Sequence, residues 1–340
     1  IRAPLWSRGL GDVYKRQGPC GLFAVFEAGL LKMKCHLIDS LPIAGGQCSE
    51  IYPKKPIYDI PAYPEILAED LVKNLMKQIK PFKPGFTLGE RAESLDKNGN
   101  NFIVTTNKGT KHEAPVVVIA GGLGCFEPRK PLINNLEDFE GKGIEYIIKD
   151  PDLYKGKKIT ISGGGDSALD WAIYFAEAAS QVTLVHRRSS FRGHLDSVET
   201  INKLAKKGKI NLITEAEVNK IEGNDKLQSI EIKNKKGEEI NLHTDFWFPL
   251  FGLVPKLGPI KDWGLELEKN AIKVDTLDYS TNISGVYAIG DVNTYQGKLK
   301  LILCGFHEGA IMVQSAFKRV FPNQKTSFKY TTVLGGIKGF

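Results

Sequence analysis

Apolar and polar positions along this chain follow two rhythms, one of buried strands and one of helices. The β-branched run Ile159–Thr160–Ile161 enters a glycine turn at 163–165. Apolar residues at helical spacing follow from Leu169 to Ala179, and then the run Val182–Thr183–Leu184–Val185. That order predicts strand, turn, helix, strand. A second helix is expected from Leu22 to Leu31, followed by a strand at Cys35–Asp39, and an amphipathic helix from Leu67 to Ile79. Thr87 to Val104 predicts paired strands around the turn Lys97–Asn98–Gly99–Asn100. Pro115–Ala120 reads as a buried strand running into Gly121–Gly122, a natural crossing between domains.

Three further strands are expected at Ile210–Glu215, Leu227–Lys233 and Ile240–His243. Turn signals at Glu222–Asp225 and Lys235–Gly237 separate them. Phe246–Leu250 is a strand leading to Gly252 and Pro255, the return crossing. Gly285–Asp291 is a strand ending in Gly-Asp, and a helix from Gly305 to Arg319 precedes a loose tail. Proline and glycine density predicts loop rather than helix over Ala44–Gln47 and Ile51–Asp59.

The turn at 163–168 has the chemistry of a dinucleotide site. Gly163 allows the tight turn and Gly165 lets the backbone approach a pyrophosphate. Ala168 lets helix and strand pack closely, with Asp166 and Ser167 between them at the helix start. An NAD site would carry an acid at the end of the second strand to bond the ribose 2′-hydroxyl. This chain carries His186, Arg187 and Arg188, with Arg192 beyond. An acid would repel a 2′-phosphate, whereas guanidinium groups grip one through paired hydrogen bonds. The reading is NADPH.

Gly18–Pro19–Cys20–Gly21–Leu22 has the form of the back half of a second such turn. Asp39 lies 18 residues after Gly21 (39 − 21), where an acid suits an unphosphorylated adenosine ribose. The two halves mirror each other, one with an acid and one with arginines. Residues 1–17 do not fit this scheme. A buried apolar strand ending in glycine belongs before the turn, yet the chain supplies Asp12–Gln17, with Arg16 where the first glycine belongs. The first 17 residues are therefore expected to be a non-native segment. They are not a signal peptide, since they contain no apolar core of suitable length.

Composition narrows the classes. The chain has 340 residues, 42% apolar and 25% charged, which suits two ordinary domains with ample core. No apolar run reaches the roughly 18 residues a membrane span needs. A net charge of +7 is too modest and scattered to argue for nucleic acid, though it permits an acidic partner. Cys20, Cys35, Cys48, Cys125 and Cys304 include no CxxC pair and spell out no metal site; buried free thiols and a reducing, cytoplasmic home are expected.

With these motifs placed, the chain resembles the two-dinucleotide-domain flavoprotein superfamily. Within it, the chain is most similar to ferredoxin–NADP+ reductases of the thioredoxin-reductase-like type. The stretches that carry the likeness are 45–64, 120–130, 163–172, 186–194 and 288–302. The resemblance implies an α/β fold with two Rossmann-like three-layer domains. A split FAD domain (18–121 and 254–340) would hold an inserted NADPH domain (122–253). It implies FAD contacts at Gly18, Gly21, Asp39, Gln47, Ala92, Phe126, Asp291 and Thr332, with Tyr52 and Tyr330 stacked on the two flavin faces. Thioredoxin reductase keeps a redox CxxC shortly before the second glycine turn. The matching stretch, Gly141–Gly156, contains no cysteine, so nothing there could relay electrons to a disulfide.

The implied reaction is hydride transfer from NADPH to FAD and single-electron transfer to ferredoxin, or the reverse. Because the cofactors carry that chemistry, no acid, base or nucleophile is nominated. Alternatives are another acceptor, such as flavodoxin or a quinone, or a redox-sensing regulator that binds the same nucleotides. Lys54–Lys55 and Lys298–Lys300 would suit an acidic protein partner, and a homodimer is implied by the resemblance.

Overall fold

The computed structural model describes residues 10–14, 18–122, 124–324 and 331. The chain divides into two compact units, one of residues up to Cys125 with those from Pro255 onward, the other Phe126–Val254.

The first unit is built on a five-stranded parallel sheet. Its order across the sheet is Val286–Ala288, Val117–Ile119, Leu10–Tyr14, Lys34–Asp39 and Gly85–Leu88. Side chains alternate across such a sheet, and both faces are covered here, so strands read as continuous apolar runs. Val116, Val118 and Ala120 join the core beneath the helices Pro19–Leu30, Ala68–Ile79 and Ile302–Val320. Val117 and Ile119 point the other way, into a second core with Ile38, Phe102 and Trp263. That face is closed by a three-stranded antiparallel sheet, Ala92–Asn98, Asn101–Thr106 and Lys111–Ala114. The Trp263 indole N–H donates to the Glu93 carbonyl at 3.0 Å, which satisfies its one polar atom.

The second unit repeats the plan. Its parallel sheet runs Asn211–Thr214, Gln181–His186, Lys158–Ser162, Phe246–Pro249. Phe248, Ile159, Ile161 and Leu184 face the helices Asp166–Ala178 and Leu195–Lys206. Trp247 and Val185 face an antiparallel sheet of Ala216–Gly223, Leu227–Asn234 and Glu239–His243. Trp247 is fully buried, and its indole N–H donates to Ser162 Oγ at 2.9 Å. Each unit is thus a three-layer Rossmann-like sandwich of helices, parallel sheet and antiparallel sheet.

Five features depart from the sequence expectations. Gln47, expected in a loop, opens the short helix Gln47–Glu50. Thr87 does not belong to the hairpin. It lies in Gly85–Leu88, which pairs parallel with Lys34–Asp39, and the hairpin begins at Ala92 with Asn98 opposite Asn101. A short apolar run looks the same whichever sheet receives it. Ala216–Gly223 is a strand where only a turn at 222–225 was anticipated, and Leu195–Lys206 is a helix that the motif reading passed over. The backbone of Leu10–Tyr14 occupies the central strand position of the first sheet, with Asp12 in register with His36 and Val117.

Candidate functional site: two glycine turns and their flanking charges

In the second unit, the Lys158–Ser162 strand delivers the chain to Gly163. A β-carbon there would lie 2.7 Å from both the Ala168 methyl and the Leu250 carbonyl oxygen. Glycine at 163 and a small residue at 168 are therefore both required for helix and strand to approach. At Gly164 a β-carbon would lie 2.1 Å from the His186 ring. Gly165 differs: nothing lies within 4 Å of the position a side chain would take. It is extended, opens the Asp166–Ala178 helix, and no side chain caps that helix. Uncapped first-turn amides beside open space are what an anion needs. Ser167 is exposed at the same end.

The loop after the second strand is tied over this turn. Asp166 Oδ1 accepts the His194 backbone N–H at 2.7 Å, and the Arg192 N–H donates to the Gly164 carbonyl at 2.8 Å. His186 is buried, its ring stacked on Phe191 at 4.9 Å, and its Nε2 donates to the Ser190 carbonyl at 3.0 Å. Burial holds its pKa below the ordinary histidine range; the Ser190 bond opposes this, while Arg187, Arg188 and Arg192 add to it. His186 is thus a neutral ring that shapes the loop from within. The three arginines are exposed, and none of their guanidinium groups makes an ion pair or side-chain hydrogen bond among the described residues. Three neighbouring cations without a counter-ion form a field suited to a phosphate.

In the first unit, Gly18 is extended and opens the Pro19–Leu30 helix, again with no side-chain cap and with open space beside it. The Gly21 N–H closes the turn on the Gly18 carbonyl at 3.1 Å. Asp39 ends its strand fully buried, and its Oδ1 accepts the Leu41 N–H at 2.9 Å. Gln47 starts the short helix Gln47–Glu50, and its amide nitrogen lies 3.4 Å from where a Gly122 β-carbon would be. Ala92 is fully buried, its methyl packed in the core with Ile38 and Phe102, so only its backbone could meet a ligand. Phe126 contributes backbone to the strand Cys125–Pro128; its side chain, Tyr330 and Thr332 lie outside the described residues.

Asp291 stands in the turn Gly290–Val292, directly after the Val286–Ala288 strand. Burial raises its pKa above the usual carboxylate range, with Lys298 and Lys300 opposing the shift and Glu308 adding to it. Tyr52 is close enough for Asp291 to act on it electrostatically, and Cys48 donates a weak 3.9 Å bond to the Tyr52 hydroxyl. Burial drives the Cys48 thiol up to about 11 and pushes Cys20 up as well, so neither is a thiolate at neutral pH. These features fit a buried, partly apolar ligand flanked by one acid.

The turn is held from below by close packing. A β-carbon on Gly305 would lie 2.1 Å from Cys20 Sγ and 3.4 Å from Gly290 Cα. Gly305→Val should therefore overpack the contact between the Ile302–Val320 and Pro19–Leu30 helices, destabilising the fold by about 1–3 kcal/mol. Chemical denaturation of the purified variant would read this; an unchanged midpoint would contradict it.

Sequence reasoning missed the cluster under that turn. Lys298 is not available to a docking partner. Its side chain is 6% exposed and paired with Glu308, so of the pair Lys298–Lys300 only Lys300 stands exposed. The available signal was Glu308 itself, an acid flanked by Gly305 and Gly309 on the otherwise apolar face of a helix.

A family described as pyridine nucleotide-disulphide oxidoreductase matches residues 17–309. The chain is 68% identical over 328 residues to ferredoxin–NADP reductase 2 of Christiangramia forsetii, covering 95% of this chain and 92% of that protein. It is 62% identical over 325 residues to ferredoxin–NADP reductase of Flavobacterium johnsoniae, with the same coverage on both sides. Among solved structures, thioredoxin reductase of Lactococcus lactis superimposes with a TM-score of 0.78 at 26% identity, covering 92% of this chain and 99% of that one. The second unit contains no cysteine anywhere in Phe126–Val254, so the likeness to thioredoxin reductase extends to the fold and not to a dithiol in that unit. The chain belongs to the pyridine nucleotide-disulphide oxidoreductase family and, within it, to the thioredoxin-reductase-like ferredoxin–NADP reductases.

Proposed function

We propose that this protein passes a hydride from NADPH to FAD and single electrons onward to ferredoxin, or runs the reverse. The observation that carries this reading is the asymmetry of its two uncapped glycine turns. One ends in the buried acid Asp39, the other in three arginines that have no counter-ion among the described residues. The first unit binds FAD and the second NADPH. The flavin supplies the ability to take two electrons together and release them singly.

The residues do the positioning. Amides around Gly18 and Gly21 hold the FAD pyrophosphate and Asp39 the adenosine ribose. Gln47 and Asp291 orient the flavin end, where Asp291 hydrogen-bonds the ribityl–phosphate region. Tyr52, and by the resemblance Tyr330, would cover its faces, while Ala92 and Thr332 would complete the site. In the second unit, amides at Gly163–Ala168 hold the NADPH pyrophosphate and Arg187, Arg188 and Arg192 grip the 2′-phosphate. The partner is an acidic iron–sulfur protein or flavodoxin, and the enzyme works as a cytoplasmic homodimer. Among the described residues, no helix is long and apolar enough to cross a membrane.

Residues 1–17 are proposed to be non-native because Arg16 stands where the turn needs glycine, although the backbone of Leu10–Tyr14 fills the central strand and the family match takes in residue 17. An independent read of the coding sequence tests this.

The decisive assay uses the protein with residues 1–17 replaced by an apolar strand ending Gly-x-Gly, beside the chain as given. A visible flavin spectrum, with cytochrome c reduction by NADPH that depends on added ferredoxin, is expected. Bleaching by NADPH without any ferredoxin effect would refute the acceptor, and a colourless repaired protein would refute the flavoenzyme reading.

A further inference from the structure

Beneath the Gly290–Asp291 turn lies a charged cluster for which nucleotide binding alone gives no reason. Glu308 is fully buried on the Ile302–Val320 helix. Its Oε2 accepts the Gly290 N–H at 2.7 Å and Asn293 Nδ2 at 2.9 Å. Its Oε1 accepts the Tyr295 hydroxyl at 2.9 Å and the Lys298 ammonium. Lys298 is almost as deeply buried as Glu308, and its ammonium stands 5.2 Å from the centre of the Tyr295 ring. Burying an ion pair is expensive, and an apolar pair of similar volume would often be at least as stable. Stability alone therefore does not account for the pair.

The geometry supplies a reason. Gly290 has φ +75°, a conformation that side chains rarely adopt, and it leads directly into Asp291. The Glu308 carboxylate holds that turn by its first N–H and then, through Asn293, by its far side. Asn293 Nδ2 also donates to the Ala288 carbonyl at 2.9 Å, which joins the turn to the end of the strand before it. Gly305, one helical turn before Glu308, allows the approach. Both charges also act on Asp291, with opposite signs.

We propose that Lys298 and Glu308 are positioning residues for the flavin site: they hold the Gly290–Asp291 turn and set the net charge beside it, and so tune the flavin's reduction potential. This rests on the flavin reading above.

Three variants test it on the FAD-loaded protein: Glu308→Gln, Lys298→Met and the double substitution. Glu308→Gln keeps one carbonyl oxygen that can accept from Gly290 and Asn293, but turns an N–H donor toward Lys298 and leaves the ammonium unbalanced. Lys298→Met leaves the carboxylate unbalanced. The midpoint potential, read by spectroscopic titration against reference dyes, is expected to rise in the first and fall in the second, because added positive charge favours the reduced flavin and added negative charge opposes it. The double variant should return towards the parent. Each single variant should weaken FAD binding about 10-fold, roughly one charge-assisted hydrogen bond.

A purely structural pair would shift both single variants the same way. Shifts of one sign, or unmoved potentials with FAD retained, overturn the proposal. Tyr295→Phe, which removes one donor to Glu308 without a change of charge, serves if a single variant does not fold; it should lower the potential slightly, and a rise overturns the proposal. A parent protein that holds no flavin overturns the flavin reading first and this inference with it.

Discussion

Replacing Arg187 and Arg188 together by alanine is expected to raise KM for NADPH on the order of 100-fold while leaving KM for NADH nearly unchanged. A charge-assisted hydrogen bond contributes about 1.5–3 kcal/mol, and two of them at an exposed, salt-screened site amount to about 3 kcal/mol. Among the described residues neither guanidinium has an ion-pair partner to lose, so the substitution strands no buried group there and should leave the fold intact. The 2′-phosphate lies far from the reacting carbon of the nicotinamide, so its binding energy is the same in ground and transition states and kcat should hold. Steady-state kinetics with both coenzymes, at low and moderate salt, check this. An equal loss for NADPH and NADH would show that the arginines do not read the phosphate.

Asp291→Asn should weaken FAD binding by roughly 10- to 100-fold, the worth of hydrogen bonds to a charged acceptor, while leaving the flavin-free protein as stable or more stable. The sign follows from burial, which raises the Asp291 pKa above its unfolded value. The folded state then binds the proton more tightly than the unfolded state. The flavin-free protein accordingly loses stability as pH rises from the ordinary carboxylate pKa through the raised one. Asparagine removes that loss, so the midpoint of the variant relative to the parent should rise with pH across the same window. Thermal unfolding of the flavin-free forms against pH, paired with FAD titration by fluorescence quenching, measures both halves. A variant less stable than the parent at neutral pH would mean that Asp291 acts as a structural anchor and not as a ligand held at a cost in stability.

The parts of the site that were legible in advance are those whose chemistry is local. Gly163, Gly165 and Ala168 sit within one turn, and their spacing alone states what a strand-to-helix corner beside a phosphate requires. Asp39 and the arginines stand at strand ends, where chain direction brings side chains to the nucleotide. The turn at 97–100 signals the antiparallel hairpin at 92–106, but nothing local in the sequence separates Thr87 from it. A strand's partner is the sheet edge that folding brings beside it, and four half-exposed residues do not encode that choice.

The sequence by itself determined the two glycine turns, the unlike charges beside them and the near-continuous apolar strands that make both sheets parallel. All of these depend on residues near one another in the chain. Only the tertiary structure decided what lies beneath the turns. Gly164 is glycine because the His186 ring, 22 residues on (186 − 164), occupies the space of its side chain. Lys298 looks like a surface cation until a helix brings Glu308 to it, and Gly290 looks like a turn residue until the same carboxylate takes its N–H. Burial of charge is paid for only by partners that folding assembles, so its meaning cannot be read before the chain has folded.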